Sequence, residues 1–266
     1  MAIITISRQM GSLGDEIAKA VADKLNYDFI DKPEIAKALA DYGLRVHENF
    51  DEKGLSFWES FSHQKKRLLY LIKVVLSDFA KKGNVVIYGW GAQILFKDLP
   101  GVLRARIIAP FEVRTRRLVE QKGYKERDAE KILRKSDRDS AGFISSFFKY
   151  DWEDKDLYDL IINTNTISVD TGVGLIINTL DAHEFKVRSE ETTEKLTDLS
   201  LQYKLEAVLE EFPKVVWVNV SVDRGIVDLT GSADSAQSIK ECEDALSKVE
   251  GVVSVNNRLY VMEDAE

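Results

Sequence analysis

Five short runs of mostly apolar residues, separated by stretches with helical periodicity, constrain residues 1–186 more than any other feature of the chain. They are Ala2–Ile6, Tyr27–Ile30, Val85–Tyr88, Val102–Ala109 and Leu160–Thr164. Short continuous apolar runs suit parallel strands covered on both faces, because a half-solvated strand would alternate with polar residues. Between them, Ile17, Ala18, Val21, Ala22 and Leu25 mark one face of a helix. Asp31-Lys32-Pro33-Glu34 reads as a helix start, with Asp as cap, Pro in the first turn and Glu reaching back. A second capping box, Ser56 to Glu59, opens a long helix to about Lys82, and Val169–Leu180 closes the series. Strands alternating with helices predict an α/β fold with a doubly wound parallel sheet.

The rhythm changes after a polar stretch at 187–196, which reads as a linker. Beyond it come a helix carrying Leu201, Leu205, Val208 and Leu209, and then a strand at Val215–Val222. Asp223-Arg224-Gly225 is a hairpin turn, followed by a return strand, a helix from Ser235 and a last strand with Val253, Val255, Asn257, Leu259 and Val261 on one face. The expectation is a small α-β-β-α-β domain over 197–263. Charge breaks at the same place. Residues 1–188 carry 30 basic and 28 acidic side chains, whereas 189–266 carry 7 and 17. So acidic a C-terminal part argues against nucleic acid or anionic lipid as its electrostatic partner. The single cysteine, Cys242, can form no internal disulfide, and the three histidines are scattered without zinc-ligand spacing. The N-terminus reads as a strand rather than a leader, and no apolar stretch approaches the roughly 20 residues a bilayer demands. A cytoplasmic location without a transmembrane segment is the expectation.

The chemistry-bearing segment follows the first strand: Ser7-Arg8-Gln9-Met10-Gly11-Ser12-Leu13-Gly14-Asp15-Glu16. A strand, a glycine turn and a helix N-terminus can cradle phosphate, since backbone N–H groups and the helix dipole both favour an anion. The full pattern GxxxxGK[ST] is absent, because Asp15 and Glu16 stand where lysine and a hydroxyl would follow. By spacing alone, an ordinary strand–turn–helix connection remains open.

The loop ISRQMGSLGDEIA resembles that of the cytidylate-kinase-like family of P-loop nucleoside monophosphate kinases. The resemblance continues through Asn26–Asp31, through VVIYGWGA at 85–92, through a lid-like segment Ile132–Trp152 and through Leu157–Val169, covering about residues 2–182. It implies a P-loop fold with a helical lid, ATP on the loop, Mg2+, and a nucleoside monophosphate acceptor, CMP by default. Residue by residue it implies that Ser7, Arg8, Gly11, Ser12, Leu13, Gly14 and Asp15 contact the donor, with Ser12 the candidate metal ligand. Arg8 is then the substitute for the missing lysine; a structural ion pair with Asp31 is its other reading. Asp31, Trp90, Arg114 and Arg117 become acceptor-site candidates. Leu13 stands where the family often has glycine, and Trp90 where it usually has arginine; the indole can stack on a base or simply pack.

Residues 104–138 hold 12 lysines and arginines. Phosphoryl transfer depends on charge neutralisation, and arginine forks suit phosphate oxygens. Arg134 and Arg138 of the lid are the catalytic candidates beside Arg8, and Asp137 orients a lid arginine or approaches the metal. A solvated basic helix face is the competing reading. The C-terminal part resembles a BON domain, in VNVSV at 218–222, GIVDLTG at 225–231 and GVVSVNNRL at 251–259. That resemblance implies a module contacting a small ligand, lipid or protein, with regulatory or dimerising duty in a possible homo-oligomer. ATP-dependent phosphorylation of a nucleoside monophosphate is the first functional expectation. The alternatives are a catalytically weak nucleotide sensor and a kinase of a non-nucleotide small molecule. The boundary also predicts that a chain ending near Arg188 folds by itself.

Overall fold

The structure is a computed structural model and describes residues 2–43, 63–182, 185 and 190–262. They form two compact units. The first is built on five strands: β1 (Ile3–Arg8), β2 (Asp28–Ile30), β3 (Val85–Tyr88), β4 (Val102–Ile108) and β5 (Leu160–Asn163). Their order in the sheet is β2-β3-β1-β4-β5, and every pairing is parallel. The central strand β1 pairs Ile3 with Val85 on one side and with Val102 on the other. Its residues Ile3, Ile4 and Ile6 are buried, which explains the unbroken apolar run in the sequence.

Helix α1 (Gly14–Leu25) and helix α7 (Val169–Leu180) cover one face of this sheet. Ile17, Ala18, Val21 and Ala22 meet Val173, Ile176 and Leu180 over Ile4, Val86, Leu103 and Ile162. Burying one such aliphatic side chain stabilises by about 1.5–3 kcal/mol, and Ile17→Ala at this junction would cost about 2–5 kcal/mol. Ser168 caps α7 by accepting the N–H of Thr171 at 3.2 Å. Helix α2 (Lys32–Asp41) starts on Asp31, whose carboxylate accepts the N–H of Glu34 at 3.3 Å. The short helix α4 (Ala92–Leu95) follows β3. Helices α5 (Phe111–Lys122) and α6 (Glu126–Phe148) carry the basic stretch. Ser56 and Glu59, the expected second capping box, lie outside the described residues.

The second unit contains helix α8 (Glu190–Leu209), β6 (Val215–Asp223), β7 (Ile226–Ala233), helix α9 (Ala236–Leu246) and β8 (Ser254–Val261). Strand β7 lies between β6, to which it is antiparallel, and β8, to which it is parallel. Arg224 and Gly225 turn the hairpin at φ 48° and 76°, and Asp198 of α8 accepts both of their N–H groups at 2.7 and 3.1 Å. Residues 190–196, read from the sequence as linker, are instead the first two turns of α8, with Leu196 fully buried.

This unit also takes in helix α3 (His63–Lys82) up to Lys81, and the end of α2 from Ala38. Asp78 of α3 accepts from Ser200 Oγ at 2.7 Å and from Tyr42 Oη at 3.1 Å, and pairs with Lys81 at 2.8 Å. Burial works against the Asp78 carboxylate, but the hydrogen bonds from Lys81 and Ser200 overcome it and hold its pKa below the usual value. Arg67 pairs with Glu211 at 3.3 Å, and Lys73 lies over the Tyr203 ring at 5.0 Å. The compact unit is therefore wider than 197–263.

Candidate functional site

The connection from β1 to α1 is shaped by its carbonyl groups. Each carbonyl oxygen from Gln9 to Leu13 has a donor inside the protein. Gln9 O accepts from Ser12 N at 3.2 Å and Leu13 O from Ile17 N at 3.0 Å. Met10 O accepts from Arg114 at 3.3 Å, Gly11 O from Arg117 at 3.1 Å and Ser12 O from Thr164 Oγ1 at 2.8 Å. With five successive carbonyls taken up internally, no acceptor of the loop is left to repel an anion, and the unpaired N–H groups of the first turn of α1 complete a nest-like concavity. The backbone pays for this shape at two positions of positive φ, Gly11 at 77° and Leu13 at 63°. A Cβ on Gly11 would lie 2.9 Å from Leu118 Cδ1, and one on Gly14 would lie 2.5 Å from Arg8 Cβ. Both glycines are thus required by packing under the loop as well as by its shape.

Arg114 and Arg117 are structural in this arrangement, which corrects their sequence-based assignment to the acceptor. Arg114 is 3% exposed and grips Asp137 through two hydrogen bonds of 3.0 and 2.9 Å, while its Nε donates to Ala109 O at 3.1 Å. Asp137 is therefore engaged as the anchor that fixes α6 against α5. Arg117 also donates to Thr164 Oγ1 and O at 3.0 and 2.6 Å, and burial lowers its pKa. Ser12 is fully buried and its hydroxyl donates to Ile107 O at 3.1 Å. Turned into the core in this way, Ser12 does not fit the role of metal ligand. Among the described residues no group of three or more His, Cys, Asp or Glu side chains could hold a metal ion. Asp31 is occupied as the cap of α2.

Arg8 pairs with Asp15 at 3.3 Å rather than with Asp31, and its guanidinium lies 5.3 Å from the centre of the Tyr88 ring. Asp15 is 62% exposed in its side chain, so this pair is weak, worth at most about 1 kcal/mol. The loop's own cation is thus held by a carboxylate on the first turn of α1.

Beside the loop lies a cleft of about 660 Å³ at the carboxyl ends of β1 and β3, where chain connections diverge to the two sides of the sheet and ligands of open α/β sheets bind. Ser7, Arg8 and Met10 form its floor, the turn Tyr88-Gly89-Trp90-Gly91 one wall, and Ile132, Lys135, Ser136, Asp139, Ser140 and Phe143 of α6 the opposite wall. Those six recur at i, i+3, i+4 spacing, one stripe of the helix. Trp90 sits at φ 61° between two glycines that also have positive φ, and meets Phe143 edge-on at 6.1 Å between ring centres. It forms part of the cleft wall and packs on α6.

Trp152 closes the inner end. Its Nε1 donates to Ser7 Oγ at 3.0 Å, so the Ser7 hydroxyl is engaged within the protein. Behind it, the buried Arg106 donates to Trp152 O, to Tyr158 Oη and to Glu153. Burial raises the pKa of Tyr158 and keeps the phenol neutral.

Arg134 and Arg138 do not line the cleft. Arg134 is 65% exposed in its side chain, pairs with Glu130 at 3.9 Å and stacks 4.5 Å over Phe111. Arg138 is exposed and is not part of the cleft lining. The cations that do line the cleft with Arg8 are Lys135 and Lys32, and sequence reading singled out neither. The signal for Lys135 was present: Ile132, Ser136, Ser140 and Phe143 mark an apolar and small-residue stripe at helical spacing, with Lys135 on it.

Comparison with known proteins agrees with this fold. Residues 3–166 match the model of the cytidylate kinase-like family. The chain belongs to the cytidylate kinase-like family. Residues 202–263 match the BON domain. The chain is 25% identical over 182 residues to a cytidylate kinase of Methanocaldococcus jannaschii, covering 67% of this chain and 97% of that protein. It is 26% identical over 186 residues to a cytidylate kinase of Archaeoglobus fulgidus, covering 69% and 97%. A crystal structure of an uncharacterized protein from Eubacterium ventriosum superposes with TM-score 0.56 at 22% identity, over 69% of this chain and all of that one. Among the described residues no helix is long and apolar enough to cross a membrane.

Proposed function

We propose that the first unit binds the phosphates of ATP on the loop Arg8–Glu16 and transfers the terminal phosphoryl group to a nucleoside monophosphate held in the adjoining cleft, with CMP the reference acceptor. The observation that carries this reading is the loop whose five carbonyls are all satisfied internally, opening directly onto a cleft large enough for a nucleotide. The names of the archaeal relatives point to the same chemistry. Arg8 stands at the junction of loop and cleft, placed to neutralise the transferring group once it leaves Asp15. Lys135 and Lys32 draw the acceptor's anionic end, and the aromatic walls accommodate its base. Since Ser12 faces the core, Mg2+ enters as the counter-ion carried by the triphosphate, and no residue of the loop is assigned to it. The second unit is proposed as a cytoplasmic interaction module of acidic character that reports or modulates nucleotide binding.

The test is ADP formation from Mg·ATP with a panel of nucleoside monophosphates, against a control without acceptor. Acceptor-dependent ADP, strongest with CMP, is the expected result; ADP formation unaffected by any monophosphate would sink the reading. A second reading, a sensor that binds nucleotide with little turnover, is favoured by one observation: Asp15 and Glu16 place two exposed carboxylates at the phosphate end of α1, and Asp15 holds Arg8. Calorimetric ATP binding without turnover would select it.

A further inference from the structure

Tyr88 ends β3 on the wall of the cleft. Its hydroxyl oxygen is buried and has no hydrogen-bond partner among the described residues. A buried phenol hydroxyl without a partner costs free energy, and native proteins keep few such groups without a use for them. The ring has little freedom to turn its hydroxyl elsewhere. Phe29 packs against it with ring centres 5.8 Å apart, and the Arg8 guanidinium covers it at 5.3 Å. The cleft whose wall Tyr88 forms is cationic: among the described residues its lining contains Arg8, Lys32 and Lys135 against the one carboxylate of Asp139. A buried hydroxyl in a cationic cleft, with its hydrogen unused, is suited to an anionic oxygen.

We infer that Tyr88 is a specificity-determining residue, whose hydroxyl joins Arg8 and Lys135 in binding the phosphate group of the acceptor. This rests on the proposed reading of the cleft as the acceptor site. A site built around a buried hydroxyl penalises a ligand that leaves it unpaired far more than it penalises a small change of shape. Tyr88 therefore selects phosphorylated acceptors over their unphosphorylated parents, and it does so at the cleft wall rather than on the donor loop.

Tyr88→Phe removes the hydroxyl and keeps the ring. Because the hydroxyl is unpaired in the free protein, the substitution should leave the thermal midpoint unchanged or raise it, which separates binding from folding. Calorimetry with Mg·ADP present to fill the loop would use three probes: CMP, inorganic phosphate and cytidine. The expected result is about tenfold weaker binding of CMP and of inorganic phosphate, the loss of one hydrogen bond to a charged group. Cytidine should bind as to the wild type. Equal binding of CMP and phosphate to both proteins overturns the inference, and so does failure of both to bind the wild type. CMP binding that weakens in Tyr88→Phe without acceptor-dependent ADP formation would leave Tyr88 assigned and remove the kinase reading. Turnover of CMP that ignores the substitution would do the reverse.

Discussion

Asp15 concentrates the question of activity in one side chain. At the first turn of α1 it is favoured by the helix dipole, and it holds Arg8 at 3.3 Å. The same position is where an incoming phosphate would sit, so the carboxylate competes with the ligand for both the dipole and the cation. Asp15→Asn keeps the size and removes the charge. The expected outcome is a two- to fivefold gain in Mg·ATP affinity by calorimetry, the roughly 0.4–1 kcal/mol scale of an exposed charge pair. Stability should fall by less than about 1 kcal/mol. Unchanged affinity would mean that the loop is not where the nucleotide phosphates bind. At this scale the sequence was only half legible. The glycines, Arg8 and Ser12 could be found from their places after a buried strand. Which of them face a ligand could not, because that depends on where each carbonyl of the loop finds its donor. Arg114, Arg117 and Thr164, which supply those donors, come from distant parts of the chain. A buried arginine serving backbone carbonyls and one serving a phosphate look alike in a basic stretch.

Among the elements, α6 decides how the cleft is walled. Its rotation about its own axis is fixed on one side by Ala129 and Leu133, which are fully buried, and by the Arg114–Asp137 fork. That rotation puts Lys135 on the cleft and leaves Arg138 off it, although the two are only three residues apart and both are exposed. The sequence located the helix and its charge, and the strands of the sheet, because periodicity is local. It misassigned the cations because the choice of face is made by partners on α5. Lys135→Ala should raise the KM for the acceptor about tenfold, the scale of one charge-assisted hydrogen bond. Arg138→Ala should leave KM and kcat within about twofold of wild type. Steady-state kinetics on the two variants distinguishes the faces, and the opposite ranking would show that the lid turns over on binding. Asp137→Ala leaves Arg114 buried without its partner and should cost about 3 kcal/mol of stability by denaturant unfolding.

For the whole molecule, the division of the chain into units carries the consequence that the sequence concealed. Composition and charge place a boundary near residue 188, and the α-β-β-α-β order of the second unit was readable from its periodicity. What periodicity could not reveal is that α3, more than a hundred residues upstream of α8, belongs with the second unit. Leu69, Leu71, Ile72, Val74, Val75, Leu76 and Ala80 of α3 are all buried, so the helix has little polar surface along this stretch to present to water. Cutting the chain after Ser189 removes Ser200, Tyr203 and Glu211, the partners that Asp78, Lys73 and Arg67 of α3 use. Each large aliphatic side chain left exposed by the cut forfeits about 1.5–3 kcal/mol, and a few of these equal the 5–15 kcal/mol total stability of an ordinary domain. The expectation that a chain ending near Arg188 folds by itself is therefore replaced by its opposite. Residues 1–189 should melt well below the full chain, or bind a hydrophobic dye in the absence of denaturant, whereas the full chain should bind none. A shortened chain with an unchanged melting temperature would show that α3 finds its cover within the first unit, and would restore the boundary near residue 188 as a place where the protein can be divided.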